Sequence, residues 1–157
     1  MTPAVRAAAR VGVPHQVLVY TPDPAASAYG LDAARALGVD PSHVYKTLVA
    51  RLDGVGAPLA IALVPADRQL DLKALADALG AKRAALADVD AAERATGYVI
   101  GGISPIGQRR VHPTVLDAGA RRLTTIYVSA GKRGLELALA PDDLMRLTGA
   151  RLAAIAR

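Results

Sequence analysis

Apolar and polar residues alternate over several short stretches of the chain, and this period of two predicts β-strands. The turn residues Asp53 and Gly54 separate two such stretches, so residues 44–52 and 59–64 are predicted to form a β-hairpin. The predicted strands comprise residues 15–20, 44–52, 59–64, 111–116, 124–129, 135–139 and 152–155.

Other stretches combine apolar residues at helical spacing with residues that are typical of helix ends. Thr2 and Pro3 indicate a helix start, and Gly12 indicates a left-handed end. Asp71 and Gly80 bound the segment LKALADAL in the same way. The predicted helices comprise residues 3–11, 31–37, 72–79, 89–95 and 142–147. Because helices and strands neither alternate strictly nor form separate blocks, we expect an α/β fold with a mixed, partly antiparallel sheet and helices outside it.

Length and composition restrict the class of protein. The 157 residues are 52% apolar, enough for one buried core but too few for two independent domains, so we expect a single domain over residues 1–157. The longest apolar run, 59–66, is far shorter than the roughly 20 residues of a membrane span. Arg6 and Arg10 interrupt the alanine-rich N-terminus, which is unlike a secretory signal. We therefore expect no membrane association and a cytoplasmic location.

The chemistry of the side chains narrows the choice further. The chain has no cysteine, which excludes disulfides, thiol nucleophiles and thiolate zinc sites. The histidines His15, His43 and His112 show no metal-ligand spacing. We expect neither a metal nor a cofactor.

The charge of the chain is compatible with a polyanionic partner. The net charge is +5, and four of the 19 basic residues are lysines, so most are arginines, whose paired donors match phosphate oxygens. Arginine and alanine enrichment also follows from genomic base composition, and both interpretations stay open. The basic doublets at 82–83, 109–110, 121–122 and 132–133 are either solvated charges or phosphate contacts. The scarcity of aromatic residues argues against base stacking.

One lysine lies where strand alternation predicts a covered position. In the segment VYKTL, Lys46 shares a strand face with Val44 and Leu48, where an unpaired ammonium is costly. It either reaches solvent at a strand edge or is a cation positioned in a pocket. In the segment LELAL, Glu136 lies opposite the leucines, and this makes it a candidate partner for Lys46.

Two further segments have features of a binding site. In the segment TGYVIGGISPIG (residues 96–107), glycines allow close approach of the backbone to a ligand, although such bends more often only connect elements. Thr125, Tyr127 and Ser129 share one strand face, which suits either solvent or the wall of a polar pocket.

The residues of these segments, taken together, resemble the YbaK/EbsC family, whose members are related to the editing domain of bacterial prolyl-tRNA synthetases. The resemblance extends over nearly the whole chain, in order, through MTPAV, VYKTL, QLDLK, ALGAK, TGY..GGISP.GQ, PT..D, TIYVS and GKRGL. It implies a mixed, barrel-like β-sheet surrounded by α-helices. It also implies a deacylase that cleaves the ester between a misloaded amino acid and the 3′ adenosine of tRNA.

The resemblance also assigns roles by position. Lys46 resembles the essential pocket lysine, and residues 101–105 resemble a GxxxP loop whose amides hold the aminoacyl carbonyl. The implied catalytic residues are Lys46 and Gly101, and the implied substrate-binding residues are Tyr20, Tyr29, Thr47, Gly102, Ile103, Ser104, Pro105, Ser129 and Glu136. The chain departs from the family pattern in having Tyr29 in place of Phe, Ala130 in place of Gly and Glu136 in place of Asp.

The expected substrate, again from the resemblance, is Cys-tRNA(Pro), and the expected partners are this mischarged tRNA and prolyl-tRNA synthetase. The thiol of the substrate cysteine would attack its own ester and leave as a thiolactone, so the protein needs no nucleophile. Two alternatives stay open: an Ala-tRNA(Pro) deacylase that uses water, and a non-catalytic module that binds tRNA or a synthetase.

Overall fold

The computed structural model describes residues 1–157 and contains five α-helices and eight β-strands. The helices are α1 (Pro3–Val11), α2 (Tyr29–Leu37), α3 (Leu72–Leu79), α4 (Val89–Thr96) and α5 (Pro141–Thr148). The strands are β1 (Gln16–Val19), β2 (Tyr45–Asp53), β3 (Leu59–Pro65), β4 (Arg83–Leu86), β5 (Thr114–Asp117), β6 (Ile126–Lys132), β7 (Leu135–Leu139) and β8 (Arg151–Ala153). No helix has the combination of length and apolar character that crossing a membrane requires.

The strands form two sheets rather than one. Three strands pair in the order β1-β7-β6, and five pair in the order β4-β2-β3-β5-β8. The pairs β3–β5 and β5–β8 are parallel and all other pairs are antiparallel, which confirms the predicted mixed topology and the hairpin of β2 and β3. A parallel bridge between Val44 and Tyr127 joins the sheets, so they wrap around a common core without closing into a barrel.

Local capping signals correctly predicted most helix ends. The Thr2 hydroxyl accepts a hydrogen bond from the amide of Val5 (3.2 Å), and Asp71 accepts one from the amide of Ala74 (2.9 Å). Helix α2 starts at Tyr29, two residues earlier than predicted. Its start could not be recognised in the sequence because no side chain caps its N-terminus. The predicted strand at 111–116 begins only at Thr114.

Strand β4 was missed. Its sequence, RAAL, is rich in alanine, which favours a helix. Pairing with β2, where Ala50 lies opposite Leu86, overrides this local preference.

Alternate residues of the five-stranded sheet pack on opposite sides. Ile61 and Leu63 of β3 belong to the larger core cluster, which also contains Ile126 and Leu137 of the other sheet. Their neighbours on β3, such as Val64, face a second cluster that includes Leu75 of α3. This two-sided packing fixes the hairpin of β2 and β3 and holds the start of β2 beside β6.

Candidate functional site

A cavity of about 370 Å³ lies where the start of β2 meets α2, the glycine bend at 97–107 and the strands β6 and β7. Its size is within the range of small-molecule sites, which is roughly 300–1,000 Å³. Eight of the residues predicted from the sequence line this cavity: Tyr20, Tyr29, Lys46, Thr47, Gly101, Ile103, Ser129 and Glu136. The structure thus brings together residues from six separate segments of the chain.

Lys46 lies at the start of β2, beyond the part of the strand that pairs with β4. Helix α2 covers it closely, because a Cβ built on Gly30 would be 3.9 Å from the Cβ of Lys46. Burial lowers the pKa of Lys46, and the charge of Asp67 partly opposes this effect. Lys46 is therefore a partly buried cation that lines a cavity, and is not a surface lysine that extends freely into water.

Glu136 lies on β7, directly opposite Ser129 of β6, so both side chains are on the same face. It is 6% exposed, and its Oε2 atom has no hydrogen-bond partner. Burial raises the pKa of Glu136 to about 8. The carboxyl group is thus mainly protonated at neutral pH.

The hypothesis that Lys46 and Glu136 form a charge pair is wrong. Both line the cavity, but the salt bridges of the structure involve neither of them. The strand pattern placed both side chains on cavity-facing positions, but it contained no information on the distance between β2 and β7.

The glycine bend brings its backbone to the cavity. Gly101 has a φ of +92°, which favours glycine, and the residue lines the cavity together with Ile103. The amide of Gly102 donates to the carbonyl of Val99 (2.9 Å), whereas the amides of Gly101 and Ile103 have no acceptor within the protein. Two residues that line the cavity therefore have backbone donors that are free for a ligand.

Gly102, Ser104 and Pro105, which the resemblance assigned to substrate binding, are buried residues that do not line the cavity. A Cβ on Gly102 would lie 2.8 Å from the Cα of Lys132, so the bend packs directly on the backbone at the end of β6. The Ser104 hydroxyl accepts a hydrogen bond from the amide of Ile106 (3.2 Å), and its carbonyl accepts one from the side chain of Gln108 (2.9 Å). These contacts brace the bend from behind.

The remaining polar groups of the cavity wall differ in whether they have hydrogen-bond partners. The Thr47 hydroxyl is buried without a partner, whereas the Ser129 hydroxyl accepts a hydrogen bond from the amide of Gly131 (3.2 Å). Burial raises the pKa of Tyr20; the backbone of Gly134 lowers it, and the charge of Glu136 adds to the increase. A buried polar atom without a partner is costly, so Thr47 and Glu136 are candidates for hydrogen bonds to a ligand.

The sequence analysis missed the role of two charged residues next to the cavity. Asp32 of α2 is 3% exposed and forms a salt bridge with Arg133, which follows β6 (3.6 Å). The guanidinium of Arg133 also lies over the ring of Tyr29. An acidic residue within the apolar face of α2 was the only sequence signal, and it gave no indication of the partner.

A larger cavity, of about 470 Å³, lies near the other end of the hairpin, where Leu59 begins β3. Its charged residues, Arg94 and Arg110, are exposed. We assign the candidate site to the smaller cavity because the Thr47 hydroxyl and the Glu136 Oε2 atom of its lining residues are buried and unpartnered. None of the three histidines lines the smaller cavity.

Comparisons with known proteins show the family of the chain. Residues 23–147 match the aminoacyl-tRNA editing domain family. The chain is 39% identical over 122 residues to EbsC of Enterococcus faecalis, which is named as a candidate Cys-tRNA(Pro)/Cys-tRNA(Cys) deacylase, and the match covers 78% of this chain and 73% of EbsC.

The chain is also similar to part of a larger enzyme. It is 33% identical over 101 residues to the proline–tRNA ligase of Moorella thermoacetica, a match that covers 64% of this chain but only 17% of the ligase. The corresponding ligase of Desulforamulus reducens is 31% identical over 106 residues, which cover 68% of this chain and 18% of the ligase.

Two solved structures share the fold. The hypothetical protein APE2540 superimposes with a TM-score of 0.87 at 24% identity, covering 99% of this chain and 100% of its own. A candidate trans-editing enzyme for prolyl-tRNA synthetase superimposes with a TM-score of 0.84 at 24% identity, covering 100% of this chain and 99% of its own.

Proposed function

Since the chain belongs to the aminoacyl-tRNA editing domain family, we propose that it is a trans-editing deacylase that removes cysteine from Cys-tRNA(Pro). The observation that carries the proposal is a single cavity lined by a partly buried lysine, a glycine bend with free amides and a buried carboxyl group. Editing of this kind is needed because a synthetase pocket separates amino acids of similar bulk by only about 1–3 kcal/mol.

The side chains of the cavity favour a mechanism in which the substrate supplies the nucleophile. The chain has no cysteine, and no histidine lines the cavity to activate Ser27, Thr47 or Ser129. The thiol of the substrate cysteine is held close to its own ester carbonyl, which makes the attack intramolecular.

In the proposed reaction, a bond forms between the substrate sulfur and its carbonyl carbon, and the ester bond from that carbon to the tRNA ribose oxygen breaks. The thiol proton ends on the ribose oxygen, so tRNA leaves with a free hydroxyl group. The cysteine leaves as a cyclic thiolactone, which water then opens to free cysteine. The protein orients the substrate and stabilises the developing charge, and no group of the enzyme forms a covalent bond.

The enzyme's contribution in this scheme comes from two sides of the cavity. The free amides of Gly101 and Ile103 donate to the carbonyl oxygen as it becomes an oxyanion. The ammonium of Lys46 holds the terminal ribose and phosphate of tRNA opposite them. Thr47, Ser129 and the protonated Glu136 provide hydrogen-bonding groups for the amino-acid end.

The natural partner of the enzyme is a mischarged proline tRNA, delivered in solution or handed over by prolyl-tRNA synthetase. Support for the link to the synthetase comes from the matches to segments of two proline–tRNA ligases. An editing domain within a ligase and a separate protein with the same fold would act on the same ester.

The decisive experiment measures deacylation of one proline tRNA charged in turn with cysteine, serine, alanine and proline. The thiol-dependent mechanism predicts rapid cleavage of Cys-tRNA(Pro) only, with the thiolactone trapped as an early product. Equal cleavage of the cysteine, serine and alanine esters would exclude that mechanism, and cleavage of alanine alone would identify a water-using Ala-tRNA(Pro) deacylase. Binding of tRNA without any hydrolysis would identify a non-catalytic module.

A further inference from the structure

Arg133 lies next to the candidate site and makes three directed contacts. Its guanidinium carbon lies 4.7 Å from the centroid of the Tyr29 ring. The same guanidinium forms a salt bridge with Asp32 (3.6 Å) and donates a hydrogen bond to the backbone carbonyl of Asp23. Arg133 therefore connects the segment after β6 with α2 and with the loop that precedes α2.

The charge on Asp32 explains why Arg133 is held in place. The side chain of Asp32 is 4% exposed and also accepts a hydrogen bond from the amide of Asp23 (3.1 Å). Its other cationic partner, Arg35, is 71% exposed and separated by 3.6 Å, so solvent screens that pair more strongly. A buried carboxylate needs a partner of opposite charge, and Arg133, at 28% exposure, is the better shielded of the two.

Arg133 also meets the glycine bend. A Cβ built on Gly101 would lie 3.6 Å from the Cδ of Arg133 and 3.6 Å from the Cε2 of Tyr29. The arginine stem, the tyrosine ring and the bend therefore come together at one point, and both Tyr29 and Gly101 line the cavity. Arg133 itself does not line it.

We propose that Arg133 is a positioning residue: paired with the buried Asp32, it holds the Tyr29 ring against the Gly101 bend and so fixes this wall of the cavity. A cation over an aromatic face is attracted by the electrons of the ring, and this attraction favours one orientation of a partly exposed ring. Tyr29 is 37% exposed, and the contact with the Arg133 guanidinium restrains its ring. The inference rests on the proposed function in its activity test, whereas its structural test does not depend on that function.

The structural test uses the ring resonances of tyrosine in the full-length protein. Arg133→Met keeps the aliphatic stem but removes the charge, and it is expected to shift and broaden the Tyr29 signals. Of the other four tyrosines, only Tyr20 should also shift, and less, because it too experiences the charge of Arg133. Lys132→Met changes the exposed neighbour in the same segment and is expected to leave all five unchanged. Unaltered Tyr29 signals in folded Arg133→Met would overturn the proposal.

The functional test is a double-mutant cycle on deacylation of Cys-tRNA(Pro). Arg133→Met and Tyr29→Leu are each expected to lower kcat about 10-fold with a smaller change in KM, and the double variant is expected to lose no more than either single variant. Arg133→Lys, which retains the charge but not the planar fork, should recover part of the loss. Additive losses, near 100-fold in the double variant, would refute action through Tyr29.

Loss of Arg133 alone leaves Asp32 buried with a weak partner, and this destabilises the fold. The variant Arg133→Met/Asp32→Asn removes both charges and serves as the folded background if Arg133→Met does not fold. The same shifts of Tyr29 and the same loss of kcat are expected in it. A wild-type protein that cleaves no aminoacyl-tRNA would refute the proposed function, while the tyrosine resonances would still test the positioning.

Discussion

Lys46 and Glu136 line one cavity without neutralising each other. Burial lowers the pKa of Lys46, with a partial opposing effect of Asp67, and burial raises the pKa of Glu136 to about 8. At neutral pH the cavity therefore combines a cation with a mainly protonated carboxyl group, which can donate a hydrogen bond. This combination suits a substrate that brings an ester oxygen and a terminal phosphate.

Replacement of Lys46 by alanine tests whether its ammonium acts on the substrate. We expect Lys46→Ala to lower kcat for Cys-tRNA(Pro) by roughly 10²–10³, as is typical when a charge-stabilising donor is removed. The free energy of unfolding should stay constant or rise, because the ammonium is partly buried at a cost. Lys73→Ala, on the exposed face of α3, is the control and should leave both quantities unchanged. A fully active Lys46→Ala enzyme would contradict the assigned role.

Replacement of Glu136 by glutamine tests the protonation of the buried carboxyl group. The pKa of this group is about 8 in the folded protein, against an ordinary value of 4.5. The folded state therefore binds more protons between these values, so wild-type stability falls as pH rises through that window, by at most about 1.4 kcal/mol per pH unit. Glu136→Gln cannot ionise and should escape this loss.

Thermal melts of the two proteins between pH 4 and pH 9 provide the measurement. The variant should be more stable than the wild type at pH 7.5, and the difference should shrink as the pH approaches 4.5. Activity of the wild type should decline above pH 8, whereas that of the variant should not. A stability difference that does not depend on pH would show that Glu136 is already ionised at neutral pH.

Gly101 and Gly12 form a matched pair for testing the bend. Both have positive φ, +92° and +81°, and a Cβ on Gly12 would contact nothing within 4 Å. Gly101→Ala and Gly12→Ala should each lower the free energy of unfolding by about 1–2 kcal/mol, because alanine is strained in this backbone conformation. Only Gly101→Ala should also lower deacylation, because relief of the backbone strain at residue 101 would displace the free amides of the bend, which lines the cavity. Equal activity of the two variants would argue against a role of the bend in catalysis.

Features with a local cause could be predicted from the sequence. The caps at Thr2 and Asp71 depend on residues within one helical turn, and the alternation around Lys46 is a property of a single strand. These signals gave most helices, the hairpin and a lysine at a covered position.

Features that depend on distant parts of the chain could not be predicted in this way. The joining of the two sheets involves the contact of Val44 with Tyr127, and the buried Asp32 of α2 finds its partner in Arg133, in the turn between β6 and β7. The resemblance assigned Ser104 and Pro105 to the site, but a motif does not show which of its residues face the ligand and which support the bend.

The doublet Arg109–Arg110 is the place where we expect contact with tRNA phosphates. Both arginines are exposed, and neither forms a salt bridge. Arg109 packs on Gly97, at the start of the bend, because a Cβ built on Gly97 would lie 3.5 Å from the Cβ of Arg109. Arg109→Glu/Arg110→Glu should raise KM for the aminoacyl-tRNA about 10-fold and flatten its dependence on salt, because each lost phosphate contact lowers the slope by about one.

The equally exposed doublet Arg121–Arg122 provides the control, because Arg121→Glu/Arg122→Glu changes the net charge by the same amount at a different cavity. Steady-state kinetics at 50 and 200 mM salt should give a raised KM for the first variant only, since a general charge effect would act on both. Similar kinetics of the two variants, or a wild-type KM that does not change with salt, would exclude a phosphate contact at 109–110. The comparison thereby separates local recognition of tRNA from the overall positive charge of the chain.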